Sequence, residues 1–331
     1  MLKDFSRRTI RANKRKNIIY LNNPKVGCST IKSNLWQAIS PRTYDRETDV
    51  HDLEASPFRT AIRYLGWAEA ANIFTFVRNP YTRLVSGYLD KIAGNRKDVW
   101  RWFSKRYGLS DDAEVSFDAF VELIHADRPE RLDPHWKPQH LNLMYPFIRP
   151  NFVGHLESMD QDLPKVFARF LEVEGGEIEK RAPHGTGARK KASSFFDNSE
   201  TVSRVRELYA TDFDYFGYSR DLDQMKRAGT MSEFHQHPHT RLGLLVRLRN
   251  ADDRDEKLGI IDEIEKLSGP GQDKFTQNWI LFEKLRLSRG DRSAFARLKE
   301  ENLEHIEDGF GFLRRMSGDL PAARPAGAMA R

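Results

Sequence analysis

Asn17-Ile-Ile-Tyr-Leu-Asn-Asn-Pro-Lys-Val-Gly-Cys-Ser-Thr-Ile-Lys-Ser-Asn-Leu-Trp36 is the stretch that decides the fold class. Asn17–Asn22 is a short apolar run closed by Asn23-Pro24, which reads as a buried strand. From about Ser29 the period changes. Ser29 and Thr30 are N-cap residue types, and Ile31, Leu35, Trp36 and Ile39 recur at helical spacing. The same succession returns at Asn72-Ile-Phe-Thr-Phe-Val77, followed at once by Arg78-Asn79-Pro80. Pro80 suits the first turn of a helix carrying Leu84, Val85, Tyr88 and Ile92. Between the two units, Phe58, Ile62, Leu65 and Trp67 suggest a further helix over about 56–71. Strand, turn, helix, helix, strand, turn, helix is the alternation of an α/β protein with a parallel sheet.

Downstream the pattern is mostly helical, with one more strand expected at Phe152-Val153-Gly154 and helices at about 162–171 and 199–209. Gly185–Lys191 reads as a Gly- and base-rich loop. After about residue 222 the character shifts to amphipathic helices over 240–250, 257–268, 273–287 and 292–315, with Phe275, Trp279 and Phe282 on one face of the third. The expected division is a basic arm (1–16), a main domain (17–221), a helical C-terminal extension (222–320) and a disordered Ala/Pro/Gly-rich tail (321–331).

The 331 residues include 39% hydrophobic and 11% aromatic side chains, which excludes global disorder. No apolar run approaches the ~20 residues needed to span a bilayer, and the first residues lack a signal-peptide stretch. Cys28 is the one cysteine, so an intramolecular disulfide and a cysteine-based zinc cluster are excluded. A cytoplasmic protein is the expectation. The net charge of +6 favours anionic partners. Lys3, Arg7, Arg8, Arg11, Lys14, Arg15 and Lys16 crowd the first sixteen residues against Asp4 alone, and are expected to form a solvated terminus. No nucleic-acid-binding motif accompanies them, so no specific nucleic acid is expected as a partner. Peripheral contact with a membrane surface stays open.

Two turns carry chemistry. In Pro24–Thr30, Gly27 permits close backbone approach or positive φ, while helix-start N–H groups, Lys25 and two hydroxyls favour a tetrahedral anion. Taken alone, the segment is equally an ordinary strand–helix turn with a surface lysine. It is not a Walker A loop, because no Gly-Lys-Ser/Thr follows a first glycine at the required spacing. At the second turn Arg78 ends an apolar strand, where open α/β sheets bind ligands. Ser86 lies two helical turns on and can meet the same anion, whereas Arg83 reads as a salt-bridged surface residue. Two such turns on neighbouring strands imply a ligand with two separated phosphate-like groups.

Pro24-Lys-Val-Gly-Cys-Ser-Thr-Ile-Lys32 resembles the 5′-phosphosulfate loop of the carbohydrate sulfotransferases, and Arg78-Asn-Pro-Tyr-Thr-Arg-Leu-Val-Ser-Gly-Tyr88 resembles their 3′-phosphate motif. The family is sulfotransferase family 2, the Golgi type that sulfates chondroitin, dermatan and HNK-1 glycans, with its bacterial relatives. Val50-His51-Asp52, Asp133-Pro-His-Trp-Lys-Pro-Gln139, Phe152-Val-Gly-His-Leu-Glu157 and Leu208-Tyr-Ala-Thr-Asp-Phe-Asp-Tyr-Phe-Gly-Tyr218 match it in the same order. The likeness spans about 17–220 and leaves 222–331 uncovered. It implies a P-loop-like three-layer α/β sandwich. It also implies in-line transfer of a sulfuryl group from 3′-phosphoadenosine-5′-phosphosulfate (PAPS) to a carbohydrate hydroxyl, with 3′-phosphoadenosine-5′-phosphate (PAP) as product and no metal. Lys25 would contact the 5′-phosphosulfate; Gly27, Cys28, Ser29 and Thr30 would cradle it; Arg78 and Ser86 would hold the 3′-phosphate. Lys32 matches the motif's last lysine and is otherwise a solvated helix residue. Asn79 stands where the Golgi enzymes often have Asp, an exchange the arginine and serine should tolerate. The missing anchor and cysteines fit a bacterial relative.

Sulfuryl transfer to an alcohol benefits from a base that takes the hydroxyl proton, and histidine suits that task near neutral pH. His51, between the two motifs and matching a family histidine, is the first choice; His135 is the second, with a structural part in an acceptor-shaping loop as its simpler role. Glu157 either orients a base or acceptor or is a buried structural carboxylate. Arg189 or Lys190 could reach a phosphate from the 185–191 loop, which is equally a solvated loop. His235, His237 and His239 alternate as nitrogen ligands do, but Pro238 and the want of a carboxylate or cysteine shell favour a polar linker. Cys28 is most simply a small packing residue, alkylatable through its nearness to Lys25 and a helix start. The competing classes are a P-loop-like nucleotide kinase or NTPase, which needs Walker A and an acidic magnesium partner, and a non-catalytic nucleotide- or glycan-binding module. A homodimer is left open.

Overall fold

The structure, a computed structural model, describes residues 8–40, 49–50, 56–60, 67, 71–94, 97–145, 147–173, 178–179, 186–235, 242–268 and 274–302. Four strands form one sheet in the order β1 (Ile10–Asn13), β2 (Ile18–Leu21), β3 (Asn72–Val77) and β4 (Phe152–His155). β2, β3 and β4 are parallel, in the register Leu21↔Thr75 and Val77↔His155. The expected α/β architecture with a central, mostly parallel sheet is therefore present, and its three anticipated strands stand where the apolar runs lie.

β1 was not anticipated. It pairs antiparallel with β2, Ile10 opposite Leu21 and Asn13 opposite Ile18, and all four of its residues are buried. The 1–16 segment thus contributes an edge strand rather than only a solvated arm. Lys14, Arg15 and Lys16 occupy the exposed hairpin turn, which Asn17 closes at φ 50° with its N–H on the Lys14 carbonyl. Arg11 points inward at 6% exposure. The helix expected over 56–71 is also corrected where it is visible. Residues 56–60 are not helical, and Arg59 exchanges two backbone hydrogen bonds with Ala12, extending the sheet edge.

Both sheet faces are buried, which is why the strands read as unbroken apolar runs. Ile18, Tyr20, Phe74, Phe76 and Phe152 line one face. Against them lie Ile31 and Leu35 of α1 (Cys28–Ile39) and Met159, Leu163 and Val166 of α6 (Met159–Val166). Residues of the other parity, Ile19, Leu21, Ile73 and Val77, are equally inaccessible. A second, aromatic cluster joins α2 (Pro80–Lys91), α3 (Lys97–Tyr107) and α4 (Phe117–His125). In it the Trp136 ring lies 5.3 Å from Phe120 and 5.8 Å from Phe103. Each such buried side chain stabilises the fold by roughly 1.5–3 kcal/mol. A short α5 (Gln139–Leu143) follows, then α7 (Ala188–Lys191), α8 (Ser199–Leu208) and α9 (Ala210–Tyr215).

The chain divides into two compact units, up to Gly243 and from Leu244 onward. The second contains α11 (Arg254–Ser268), α12 (Lys274–Ser288) and α13 (Arg292–Glu301), after α10 (Leu242–Asn250). Leu281 and Leu285 form its core with Phe282, Phe295 and Leu298, and Lys284 of α12 bridges Asp262 and Glu265 of α11. The last described helix ends at Glu301, and the remainder of the helix expected to 315, like the expected tail over 321–331, lies outside the described residues. Among the described residues no helix is long and apolar enough to cross a membrane.

Candidate functional site

The parallel register brings the carboxyl ends of β2, β3 and β4 to one edge of the sheet, so the turns after them meet. The turn after β2 curls because Lys25 and Gly27 both adopt the left-handed region, at φ 70° and 79°. A non-glycine residue held there stores of order 1 kcal/mol. At Gly27 a side chain would be strained by the positive φ, and its Cβ would lie 2.8 Å from the Met159 methyl and 3.0 Å from a Leu156 methyl, so that both would have to shift. Gly27 itself is the N-cap of α1, so the helix starts earlier than Ser29, and Ser29 and Thr30 sit inside its first turn. That helix has no side-chain cap and no acidic residue in its first turn. The positive end of its dipole therefore faces the loop, which suits an anion.

Arg78 locks the second turn to the first. Its guanidinium, 7% exposed, donates from Nε to Thr82 Oγ1 at 3.0 Å and from Nη1 to the Lys25 carbonyl at 3.2 Å. Asn79 caps α2 by accepting from the Tyr81 N–H at 3.0 Å, a task Asp performs equally well. Glu157, half-buried on the turn after β4, accepts from the Asn79 N–H at 3.0 Å and from the Tyr218 hydroxyl at 2.9 Å. Burial pushes its carboxyl above the ordinary value despite these donors and nearby Arg78. Its observed role is structural: it fastens the third strand end to the second.

Ser86 is 4% exposed, two turns along α2 from Arg78, and its hydroxyl lies 3.4 Å from that of Thr186. The Gly- and base-rich segment is not simply a loop. Gly187, at φ 65°, caps the short α7, which packs on α2; the Lys190 side chain is exposed, and Arg189's lies outside the described side chains. Arg83 is not a surface ion-pair residue either. At 1% exposure it donates to the carbonyls of Pro24 (3.1 Å), Lys137 (2.8 Å) and Pro134 (2.8 Å), tying the β2 turn to the 133–139 loop. That loop presses on α2 at Gly87, where a Cβ would approach the His135 carbonyl to 3.1 Å.

The Lys25 ammonium pairs with Asp90 at 3.2 Å, its side chain 13% exposed. Burial lowers its pKa and Asp90 opposes the drop. Lys32 departs from the solvated lysine expected. It is 1% exposed, and burial brings its pKa down to about 8, with Cys28 and Asp49 acting upward and Arg11 downward. Cys28 is partly exposed at the start of α1.

His51 lies outside the described residues, as do His237 and His239; its neighbour Val50 is buried. His135 is placed. Its N–H donates to Asp133 Oδ1 at 2.9 Å, and its Nδ1 lies 2.5 Å from the same oxygen. Burial acts upward on the Asp133 carboxyl, but its bonds with His135 prevail and hold it below its usual value. Among the described residues no group of three or more His, Cys, Asp or Glu side chains could hold a metal ion.

Gln139 was visible in the sequence only as the end of a motif block. It is fully buried, accepts from Asn23 Nδ2 and the Arg78 N–H at 3.0 Å each, and donates to the Arg78 carbonyl at 2.8 Å. Its own N–H and that of His140 are taken by buried Asp212. Asp90, Thr82 and Thr186 were likewise not anticipated. The four-residue spacing Thr82, Ser86, Asp90 was the available signal.

The sequence profile of the sulfotransferase family matches residues 8–219, which include both turns, the 133–139 loop and Glu157. Carbohydrate sulfotransferase 8 of Mus musculus is 28% identical over 238 residues, covering 64% of this chain and 56% of its own length. Carbohydrate sulfotransferase 12 of the same species is 28% identical over 169 residues, 44% of this chain and 40% of its own. Carbohydrate sulfotransferase 11 of Rattus norvegicus is 29% identical over 168 residues, 44% and 46% respectively. The chain spans about half the length of these curated relatives. No solved structure gives a significant match. With the profile extending from the edge strand to the end of the aromatic segment at Tyr218, the chain belongs to the sulfotransferase family.

Proposed function

We propose that this protein transfers a sulfuryl group from PAPS to a hydroxyl of a carbohydrate acceptor, by in-line displacement at sulfur. The observation that carries the proposal is the bond from Arg78 to the Lys25 carbonyl, which joins two cation-bearing turns into one anion-binding edge. The donor set suits a nucleotide with separate 5′ and 3′ phosphates. Lys25 and the uncapped start of α1 at Gly27–Thr30 take the 5′ end, while Arg78 and Ser86, with the Thr186 hydroxyl beside it, take the 3′-phosphate. Lys25 neutralises the charge that grows on the leaving phosphate as the S–O bond to it breaks. A histidine base removes the acceptor proton as the new S–O bond forms. His51 is our choice for that base. His135 is the second, favoured by its Nδ1 contact with Asp133, an arrangement that fixes an imidazole's orientation. The names of the relatives point to a sugar as the acceptor.

A thermal-shift comparison of PAP with ATP–magnesium tests the cosubstrate. A ligand present at a hundred times its Kd stabilises by about 2.7 kcal/mol, a readily measured shift. Stabilisation by PAP is expected; stabilisation by ATP–magnesium alone would overturn the proposal in favour of a kinase or NTPase. Labelled PAPS offered with a panel of glycans then separates an enzyme from a binding module that keeps the fold.

A further inference from the structure

Helix α2 presents a polar stripe toward the curled turn: Thr82, Ser86 and Asp90, one turn apart. Thr82 orients the Arg78 guanidinium. Ser86 lies in the middle. Asp90 closes the stripe, its carboxylate 3.2 Å from the Lys25 ammonium and 3.0 Å from that of Lys91. Lys25 reaches it from a backbone already fixed at positive φ, with its carbonyl accepting from Arg78. The lysine is therefore held at both ends, by Arg78 at the main chain and by Asp90 at the side chain.

We propose that Asp90 is a positioning residue for Lys25: it keeps the ammonium charged and parked one helical turn from Ser86 until the cosubstrate's phosphate displaces it. The inference rests on Lys25 being the 5′-phosphosulfate contact. Among the described residues, three charged groups act on this ammonium. Burial disfavours its charge, Arg78 and Lys91 oppose it as like charges, and Asp90 alone of the three favours it. Asp90 is equipped for that part: burial pushes its carboxyl up, but Lys25 and Lys91 outweigh this and bring it down to about 2. It is thus anionic at neutral pH, and removing its charge leaves Lys25 with Arg78 and Lys91 as its charged neighbours among the described residues.

The test is the pH dependence of PAP affinity, by calorimetry between pH 7 and 10, above the second phosphate pKa of about 6. In Asp90→Asn the affinity should begin to fall at least one pH unit lower than in the native protein, with a slope approaching tenfold per unit. Asp90→Glu, which restores the charge, should return the profile toward the native one. Lys25→Arg placed in the Asp90→Asn background should abolish the early fall, because a guanidinium does not titrate in this range. Superimposable profiles for the native protein and Asp90→Asn would overturn the positioning role while leaving the cosubstrate reading standing. PAP failing to bind the native protein at any pH would overturn both.

Discussion

Replacing Gln139 with Leu should loosen the whole ligand edge from a position that touches no ligand. The side chain is fully buried and makes three hydrogen bonds, to Asn23 Nδ2, the Arg78 N–H and the Arg78 carbonyl. Leucine fills similar space and offers none of them. At about 1 kcal/mol net per bond, with more wherever a desolvated group loses this partner, the loss is about 3–5 kcal/mol. For a unit of this size each kcal/mol moves Tm by roughly 2–4 °C, so a drop of about 10 °C is expected. PAP affinity should fall only a few-fold, because Thr82 and the Lys25 carbonyl still hold the Arg78 guanidinium. Gln139→Glu supplies a second reading of the same contacts. Ionised, it keeps both acceptor bonds but turns a carboxylate toward the Arg78 carbonyl; protonated, it donates there as glutamine does. Its folded pKa should accordingly lie above its unfolded one, so the variant gains on the native protein as pH falls from 8 to 5. Differential scanning calorimetry at both pH values checks this. A Leu variant within 2 °C of the native Tm, or a Glu variant with the same deficit at pH 5 and 8, would refute the role assigned to Gln139.

Arg78→Ala should weaken PAP binding more than Ser86→Ala, by the roughly 1.5–3 kcal/mol of a charge-assisted hydrogen bond; unchanged calorimetric affinity in both would remove the 3′-phosphate assignment. Lys25→Ala should depress turnover more than affinity, since the charge it meets grows toward the transition state, and a pure affinity loss with normal turnover would contradict that. His51→Ala should cut turnover by about 10²–10⁴ and erase the acidic limb of the pH–rate profile while PAP affinity holds, with His135→Ala milder at saturating acceptor. The reverse pattern would exchange the two roles. Lys32→Met should raise stability at pH 7. The lysine's folded pKa of about 8 lies below its ordinary 10.5, so the unfolded chain binds more protons between those values and native stability climbs there. The variant's advantage, up to about 3 kcal/mol, should shrink from pH 8 upward and vanish near 10.5; a constant gap in chemical denaturation would count against it.

The sheet centre was legible because its physics is local. A continuous apolar run, a proline-marked turn and a change of period announce β2, β3 and the helices after them. The same signals place Lys25, Gly27 and Arg78 at the strand ends and Ser86 two turns into the helix that follows. β1 escaped because Arg11 lies in the middle of a four-residue strand and three basic residues follow in its turn, so composition resembles a solvated arm. Lys32 escaped for a related reason: helical periodicity marks the face toward Ile31 and Leu35 and says nothing of what covers the adjacent one. Arg83 and Gln139 owe their roles to partners more than fifty residues away, beyond the reach of any window. His51 was singled out by its place between motifs, and the described residues reach only its neighbour Val50.

Arg83 grips the 133–139 loop solely through the carbonyls of Pro134 and Lys137. Every amino acid supplies a carbonyl, so this tie is indifferent to which side chains the loop carries at 135 and 137. The loop is a mount whose fastenings survive an exchange of fittings. A combinatorial library over His135 and Lys137 should therefore yield mostly folded proteins that still bind PAP, and any change in acceptor preference among them would be read against a constant nucleotide edge. Randomising Arg83 would offer no such freedom, because there the donor itself is what ties the β2 turn to the loop.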